Sequence, residues 1–111
     1  MFAMLMGLKS ISPSALHARM QAEAVTIFDL NSLQSWGRAR VPGARHLPVE
    51  FTAEALPADR ATSLVFYCSN PLCRKAPGAA RKARALGYSD VCVLSAGISG
   101  WLGAGLPVHG E

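Results

Sequence analysis

The stretch VFYCSNPLCRKAPGAARKARALGY, residues 65–88, contains the transition that decides the fold. Its apolar start belongs to the run SLVFY, Ser63–Tyr67, which is typical of a strand covered on both faces. A cysteine and a short polar loop follow. Ala79–Leu86 then has the composition of a helix, with Pro77 at its start and Gly87 at its end. The stretch therefore predicts a buried strand, a loop that carries a thiol, and a basic helix.

The alternation of strands and helices extends to both sides of this stretch. Ser12-Pro13 is typical of a helix start. Helical turns are expected at residues 32–36, 51–56 and 96–102. Further strands are predicted at VTIFDL (25–30), at residues 44–47 and at VCVL (91–94). Because strands and helices alternate, the predicted class is α/β with a central, mostly parallel sheet.

The composition is that of one compact domain. The chain has 111 residues, 50% of them hydrophobic, which is enough for a real core, and we predict a single domain over residues 1–111. No apolar run approaches the length that spans a bilayer, so no membrane partner is expected. The apolar N-terminus lacks a basic region and a cleavage site, so it is not predicted to be a signal peptide. We expect residues 1–8 to form a strand or a mobile segment.

Charge and cysteine content restrict the possible partners and the cellular compartment. The net charge is +4, and five of the eleven Lys/Arg residues cluster at Arg74, Lys75, Arg81, Lys82 and Arg84. This basic cluster is either a solvated helix face or a surface for a small anion or an acidic partner. No aromatic residues are interleaved with it, so nucleic acid is not an expected partner. Three cysteines without a disulfide framework indicate a reducing, cytoplasmic setting.

Cys68 is the predicted nucleophile. It stands at the carboxyl end of a strand, where open parallel sheets bind their ligands. The loop from Ser69 to Lys75 has to reverse direction, so it can direct backbone N–H groups inward, and the following helix adds partial positive charge. Such a cradle favours a thiolate, a persulfide or a bound oxyanion. The alternative is a buried structural cysteine, the role that we expect for Cys92 within VCVL.

Cys73 forms the spacing C-x4-C with Cys68. A zinc site needs a second pair of ligands, and the three histidines are scattered, so no metal is expected. Cys73 is either a resolving thiol that closes a disulfide on Cys68 or a spectator. The first role requires the loop to bring the two residues within bridging distance.

Four segments, in order, resemble the rhodanese-like domain and together cover nearly the whole chain. The last of them contains a Gly-x-x-x-Trp close and a terminal Gly-x-Pro-Val. The segments are IFDLNSLQSWGRARVPGARHLP (27–48), VFYCSNPLCRKA (65–76), AARKARALGYSDVCVL (79–94) and SAGISGWLGAGLPV (95–108). The resemblance implies a central, mostly parallel five-stranded sheet with helices on both faces.

The resemblance also implies a single-domain sulfurtransferase that uses no metal or organic cofactor. Cys68 would take a sulfane sulfur from a small anionic donor such as thiosulfate and become a persulfide. It would then pass the sulfur to cyanide or to a protein thiol. The substrate-binding loop would consist of Ser69, Asn70, Pro71, Leu72, Cys73, Arg74 and Lys75.

Three features depart from the family pattern. Asn31 stands where the usual Asp-x-Arg has its arginine, and Arg40 stands where a histidine is common. Both positions are expected to be structural. The loop is longer than the commonest rhodanese loop, which puts Lys75 and Ala76 near the usual Arg-Ser pair. A longer loop can admit a larger oxyanion or a different donor.

Two other functions fit parts of the sequence. Cys68 and Arg74 have the spacing C-x5-R, which clamps phosphate or arsenate in phosphatases and arsenate reductases that resemble rhodaneses. Pro77-Gly78 is expected to interrupt the first helical turn, which disfavours this function. The other alternative is a non-catalytic module that binds an acidic protein through the basic cluster. Such modules usually lack the cysteine.

Overall fold

A computed structural model describes residues 8–110. Its strands are β1 (Lys9–Ser10), β2 (Thr26–Asp29), β3 (Arg45–His46), β4 (Leu64–Tyr67) and β5 (Val91–Val93). They form one sheet in the order β1-β5-β4-β2-β3, and every pairing within it is parallel. β4 is therefore the central strand. Residues 1–7 lie outside the described part, so the expectation for the N-terminal segment and the extent of the domain stay predictions.

Within residues 8–110, three α-helices and one short 3-10 helix connect successive strands, and a fourth α-helix follows the last strand. The helices are α1 (Pro13–Ala22), α2 (Leu33–Arg38), α3 (Lys75–Ala85) and α4 (Gly97–Gly103), and the 3-10 turn is Ala53–Ala55. Serine hydroxyls cap the first two helices: Ser12 Oγ accepts from the N–H of Ala15, and Ser32 Oγ accepts from that of Ser35. Within the described residues, no helix has the length and apolar character that crossing a membrane requires.

Helices cover both faces of the sheet, and side chains of the three inner strands β2, β4 and β5 alternate between two apolar clusters. On β4, Leu64 and Phe66 pack on one side with alanines of α3. Val65 and Tyr67 pack on the other side with residues of α1 and α4, among them the fully buried Trp101. The predicted α/β fold with helices on both faces is confirmed.

The start of α3 differs from the prediction. The helix begins at Lys75, and Pro77 occupies its third position without breaking it. The N–H that proline lacks is one of the first four in a helix, which have no intrahelical partner in any case. The N–H of Gly78 donates to the carbonyl of Arg74 at 3.1 Å. The expected interruption at Pro77-Gly78 is therefore wrong, and α3 follows the cysteine loop directly.

Candidate active site

Cys68 directly follows the central strand β4, at the edge where the parallel strands end. Its side chain is 3% exposed. The residues after it, from Ser69 to Arg74, form the loop that reaches the first turn of α3. The predicted nucleophile is therefore buried directly after the central strand. The predicted loop residues Ser69–Arg74 follow it, whereas Lys75, also predicted in the loop, is the first residue of α3.

A tight turn folds the loop back on itself. The N–H of Cys73 donates to the carbonyl of Asn70 at 3.1 Å, and the N–H of Leu72 donates to Asn70 Oδ1 at 2.9 Å. Asparagine at the first turn position and proline at the second, here Pro71, favour this conformation. The turn brings Cys73 over Cys68, and the two form a disulfide with Cα atoms 6.4 Å apart. The bridging distance required of a resolving thiol is therefore met.

The start of α4 fixes the other side of the loop. The N–H groups of Ile98 and Ser99 donate to the carbonyls of Cys68 and Ser69, both at 2.9 Å. These donors belong to the first turn of α4, where a helix has no partners for its own N–H groups. In a trans peptide the C=O and the next N–H point in opposite directions. The N–H groups of Ser69 and Asn70 therefore point away from α4.

Gly97 allows this close approach of the loop to α4. Its φ is +67°, in the region that favours glycine. A Cβ at this position would lie 2.6 Å from the carbonyl oxygen of Ser69 and 2.7 Å from the nitrogen of Asn70. The residue belongs to the Gly-x-x-x-Trp motif, and Trp101 at the end of the motif donates its indole N–H to the carbonyl of Pro107 at 2.7 Å. The motif thus anchors α4 at one end and admits the loop at the other.

A buried polar network lies beside the loop. The carboxylate of Asp29 is fully buried; it accepts from the hydroxyl of Tyr67 and from the N–H of Asn31, each at 2.7 Å. The Tyr67 hydroxyl in turn accepts from the N–H of Val41 at 3.1 Å. Burial raises the pKa of Asp29, although the hydrogen bonds from Tyr67 and Asn31 oppose that shift. The network joins the carboxyl ends of β2 and β4.

Asn31 extends this network to the loop. Its Oδ1 accepts from the hydroxyl of Ser69 at 2.7 Å, and its backbone carbonyl accepts from His46 Nε2 at 2.8 Å. The sequence identified Asn31 as a departure from the family and as a structural position, but it did not indicate contact with the loop. That contact depends on the pairing of β2 with β4, which brings two loops from distant parts of the chain together.

Cys92 and Arg40, both expected from the sequence to be structural, make contacts that hold the fold together. Cys92 is a free, buried thiol on β5, and its Sγ accepts from Arg19 at 3.7 Å. The guanidinium of Arg40 lies 4.2 Å from the centre of the Trp36 ring, and its backbone pairs with that of His109. Arg40 therefore ties the C-terminal segment to the end of α2.

A groove of about 550 Å³ opens beside the loop. It is lined by Val49 and Cys73, by the cations Arg74, Lys75 and Lys82, and by small residues of α3. The ammonium of Lys82 donates to the carbonyl of Phe51 and lies 4.1 Å from the centre of its ring. Three members of the basic cluster thus surround the groove, while Arg81 and Arg84 do not line it. Cys73 lines the groove and is bonded to Cys68, so it lies between the groove and that residue.

The arrangement allows thiol chemistry. Among residues 8–110, no group of three or more His, Cys, Asp or Glu side chains is arranged to hold a metal ion. In the disulfide, neither Cys68 nor Cys73 has a thiolate. Nucleophilic chemistry at Cys68 therefore requires prior reduction of the pair.

Comparison with known sequences agrees with this architecture. The family model described as Rhodanese-like domain matches residues 12–104. The HTH-type transcriptional regulator Rv0324 of Mycobacterium tuberculosis is 34% identical over 102 residues, which cover 89% of this chain and 44% of that protein. The chain therefore spans less than half the length of this relative.

Solved structures share the fold at low identity. The BH2092 protein of Bacillus halodurans has a TM-score of 0.83 at 22% identity, covering 92% of this chain and 77% of that one. The rhodanese-like domain of Anabaena sp. Alr3790 has a TM-score of 0.79 at 20% identity, with coverages of 92% and 79%. RPA3614 of Rhodopseudomonas palustris is a protein of unknown function and a possible tyrosine phosphatase. Its TM-score is 0.78 at 22% identity, covering 96% of this chain and 92% of that one. Each of these likenesses shows the fold alone.

We predict that Gly97→Ala destabilises the protein by roughly 2 kcal/mol or more, because the new Cβ meets loop backbone and the positive φ is strained. Gly103→Ala is the matched control, since it is also in α4 and a Cβ there meets nothing within 4 Å. The free energies of unfolding come from urea titrations. An unchanged value for Gly97→Ala would show that α4 does not constrain the loop.

Proposed function

The chain belongs to the rhodanese-like domain family, and we propose that it is a sulfurtransferase whose reduced Cys68 carries the sulfur. Cys68 accepts a sulfane sulfur as a persulfide and passes it to a thiophilic acceptor such as cyanide or a thiol. The observation that carries this proposal is the position of Cys68. It ends the central strand and begins a loop that leads without interruption into α3.

The backbone around Cys68 supports an anionic intermediate. Anchoring of the carbonyls to α4 directs the N–H groups of Ser69 and Asn70 away from that helix. The N-cap of α3, Arg74, makes no side-chain hydrogen bond to the helix, so the first N–H groups of α3 are left to other acceptors. These donors and the helix dipole stabilise negative charge at the loop, whether it is on a thiolate or on a persulfide.

The proposed reaction has two steps and needs no cofactor. The Cys68 thiolate attacks the sulfane sulfur of thiosulfate, the S–S bond of the donor breaks, and sulfite leaves with the electron pair. Cyanide then attacks the outer sulfur of the persulfide, thiocyanate leaves, and the thiolate is restored. A cytoplasmic setting suits this cycle, because its thiol pools keep the loop cysteines reduced.

We expect Cys68→Ser to abolish thiocyanate formation from thiosulfate and cyanide, because a hydroxyl cannot form the persulfide. Cys73→Ser is the matched control: it loses the same disulfide and keeps Cys68. Both variants and the wild type are reduced before the assay, and far-UV circular dichroism checks that they are folded. Activity that persists in Cys68→Ser and disappears in Cys73→Ser would assign the nucleophile to Cys73 instead.

The groove cations are expected to attract the anionic donor. Replacing Arg74 and Lys75 by glutamine should raise KM for thiosulfate by about threefold or more at low ionic strength, and added salt should reduce the difference. Lys9→Gln, on an edge strand two strands from β4, is the control for a lost charge. If KM stays the same at low salt in the double variant, donor attraction by these residues is excluded.

Oxyanion chemistry is the second candidate, because Arg74 of the C-x5-R spacing lies beside the groove with Cys73. An arginine in that place can clamp phosphate or arsenate. Hydrolysis of an aryl phosphate by the reduced wild type, lost in Arg74→Ala, would support this function. Absence of hydrolysis by the reduced wild type would exclude phosphatase activity.

A binding role is a third candidate. The relative from Mycobacterium tuberculosis is an HTH-type transcriptional regulator, so a similar segment is present in a protein whose name is not that of a sulfurtransferase. Capture of an acidic partner that is unaffected by Cys68→Ser, together with absence of sulfur transfer, would favour this role.

A further inference from the structure

We propose that Cys73 resolves the Cys68 persulfide within the loop, so that the protein releases the sulfur as sulfide and is left as the Cys68–Cys73 disulfide. This activity rests on the proposed function, since it begins from the persulfide. It differs in its product, because sulfide and a disulfide form without any external sulfur acceptor.

The loop is built to bring the second thiol to the first. The turn from Asn70 to Cys73 is held by two hydrogen bonds, and it places the Cα of Cys73 6.4 Å from that of Cys68. On the opposite side, α4 fixes the carbonyl of Cys68. One thiol is therefore held on the sheet edge and the other on a turn above it. An intramolecular thiol at this distance has a large advantage over a dissolved one.

Access also favours Cys73 over an external acceptor. Cys68 is 3% exposed, whereas Cys73 is half-buried and lines the groove. A reagent that arrives from the groove meets Cys73 first. Two groove cations directly follow Cys73 in the chain: Arg74, which is the N-cap of α3, and Lys75. Positive charge at this position favours the thiolate, which is the form that attacks a persulfide.

The resolving step is balanced. The Cys73 thiolate attacks Sγ of Cys68, and the bond between the two Sγ atoms forms. The bond from Cys68 Sγ to the outer sulfur breaks, and that sulfur takes the electron pair and leaves as hydrosulfide. The outer sulfur is reduced, and the two cysteines together are oxidised by the same two electrons. The Sγ atoms that bond in this step are those already joined in the structure.

A dithiol reductant completes the cycle. It attacks the protein disulfide, restores both thiols and is itself oxidised to a disulfide. The net reaction converts thiosulfate and a dithiol to sulfite, sulfide and the oxidised dithiol. A disulfide that opens and closes in this way is the catalytic type found in reducing compartments.

A single-turnover experiment tests the step without external thiol. Fully reduced protein, freed of reductant, is mixed with an equimolar amount of thiosulfate. Sulfite, sulfide and alkylatable thiols are then measured. The wild type should release sulfite and sulfide in equal amounts and lose both loop thiols. Cys73→Ser should release sulfite but at least about tenfold less sulfide, and it should keep a persulfide that cyanide removes. Cys92→Ser, with a different thiol removed, should behave as the wild type does.

The outcomes separate this proposal from the one on which it rests. If neither the wild type nor Cys73→Ser releases sulfite, the sulfurtransferase function itself fails. If both release sulfite and the wild type keeps a stable persulfide on Cys68, sulfur transfer stands and the resolving step is wrong. Peptide mapping that finds the sulfur on Cys73 of the wild type would likewise overturn sulfide release, because Cys73 would then relay the sulfur.

Discussion

The site depends on two hydrogen bonds from the start of α4 to the carbonyls of Cys68 and Ser69. They satisfy donors that a helix cannot satisfy itself, and they fix which way the first loop peptides face. With the carbonyls turned to α4, the N–H groups of the same peptides are available on the other side. The buried network of Asp29, Tyr67 and Asn31 holds the adjoining strand ends, so the loop starts from a rigid base.

This constraint links the fold to the chemistry. The strand β4 is buried on both faces and positions Cys68 at its end. The loop after Cys68 leads directly into α3, and its turn at Asn70 brings Cys73 to Cys68. Cys68, the proposed nucleophile, is thus shielded, while its partner Cys73 lines a groove bordered by cations. A buried persulfide beside an intramolecular thiol has a nearby reductant, and this is the physical basis for sulfide as a product.

The local elements and the position of Cys68 could be predicted from the sequence, because apolar strands, caps and a thiol at a strand end are local patterns. The start of α3 differs from the prediction, because Pro77 lies within the first turn of the helix and does not open it. The roles of Asn31 and Gly97 towards the loop could not be predicted from local patterns. Both depend on elements distant in sequence, joined only by strand pairing and by the docking of α4.

The most direct test of sulfur transfer at Cys68 is the intact mass of reduced Cys73→Ser after incubation with thiosulfate, followed by peptide mapping. Without Cys73, the carrier state cannot resolve and should accumulate. The account predicts a gain of one sulfur atom on the peptide that contains Cys68, removed by cyanide. An unchanged mass, with a free Cys68 thiol still present, would contradict the assignment of Cys68 as the sulfur carrier.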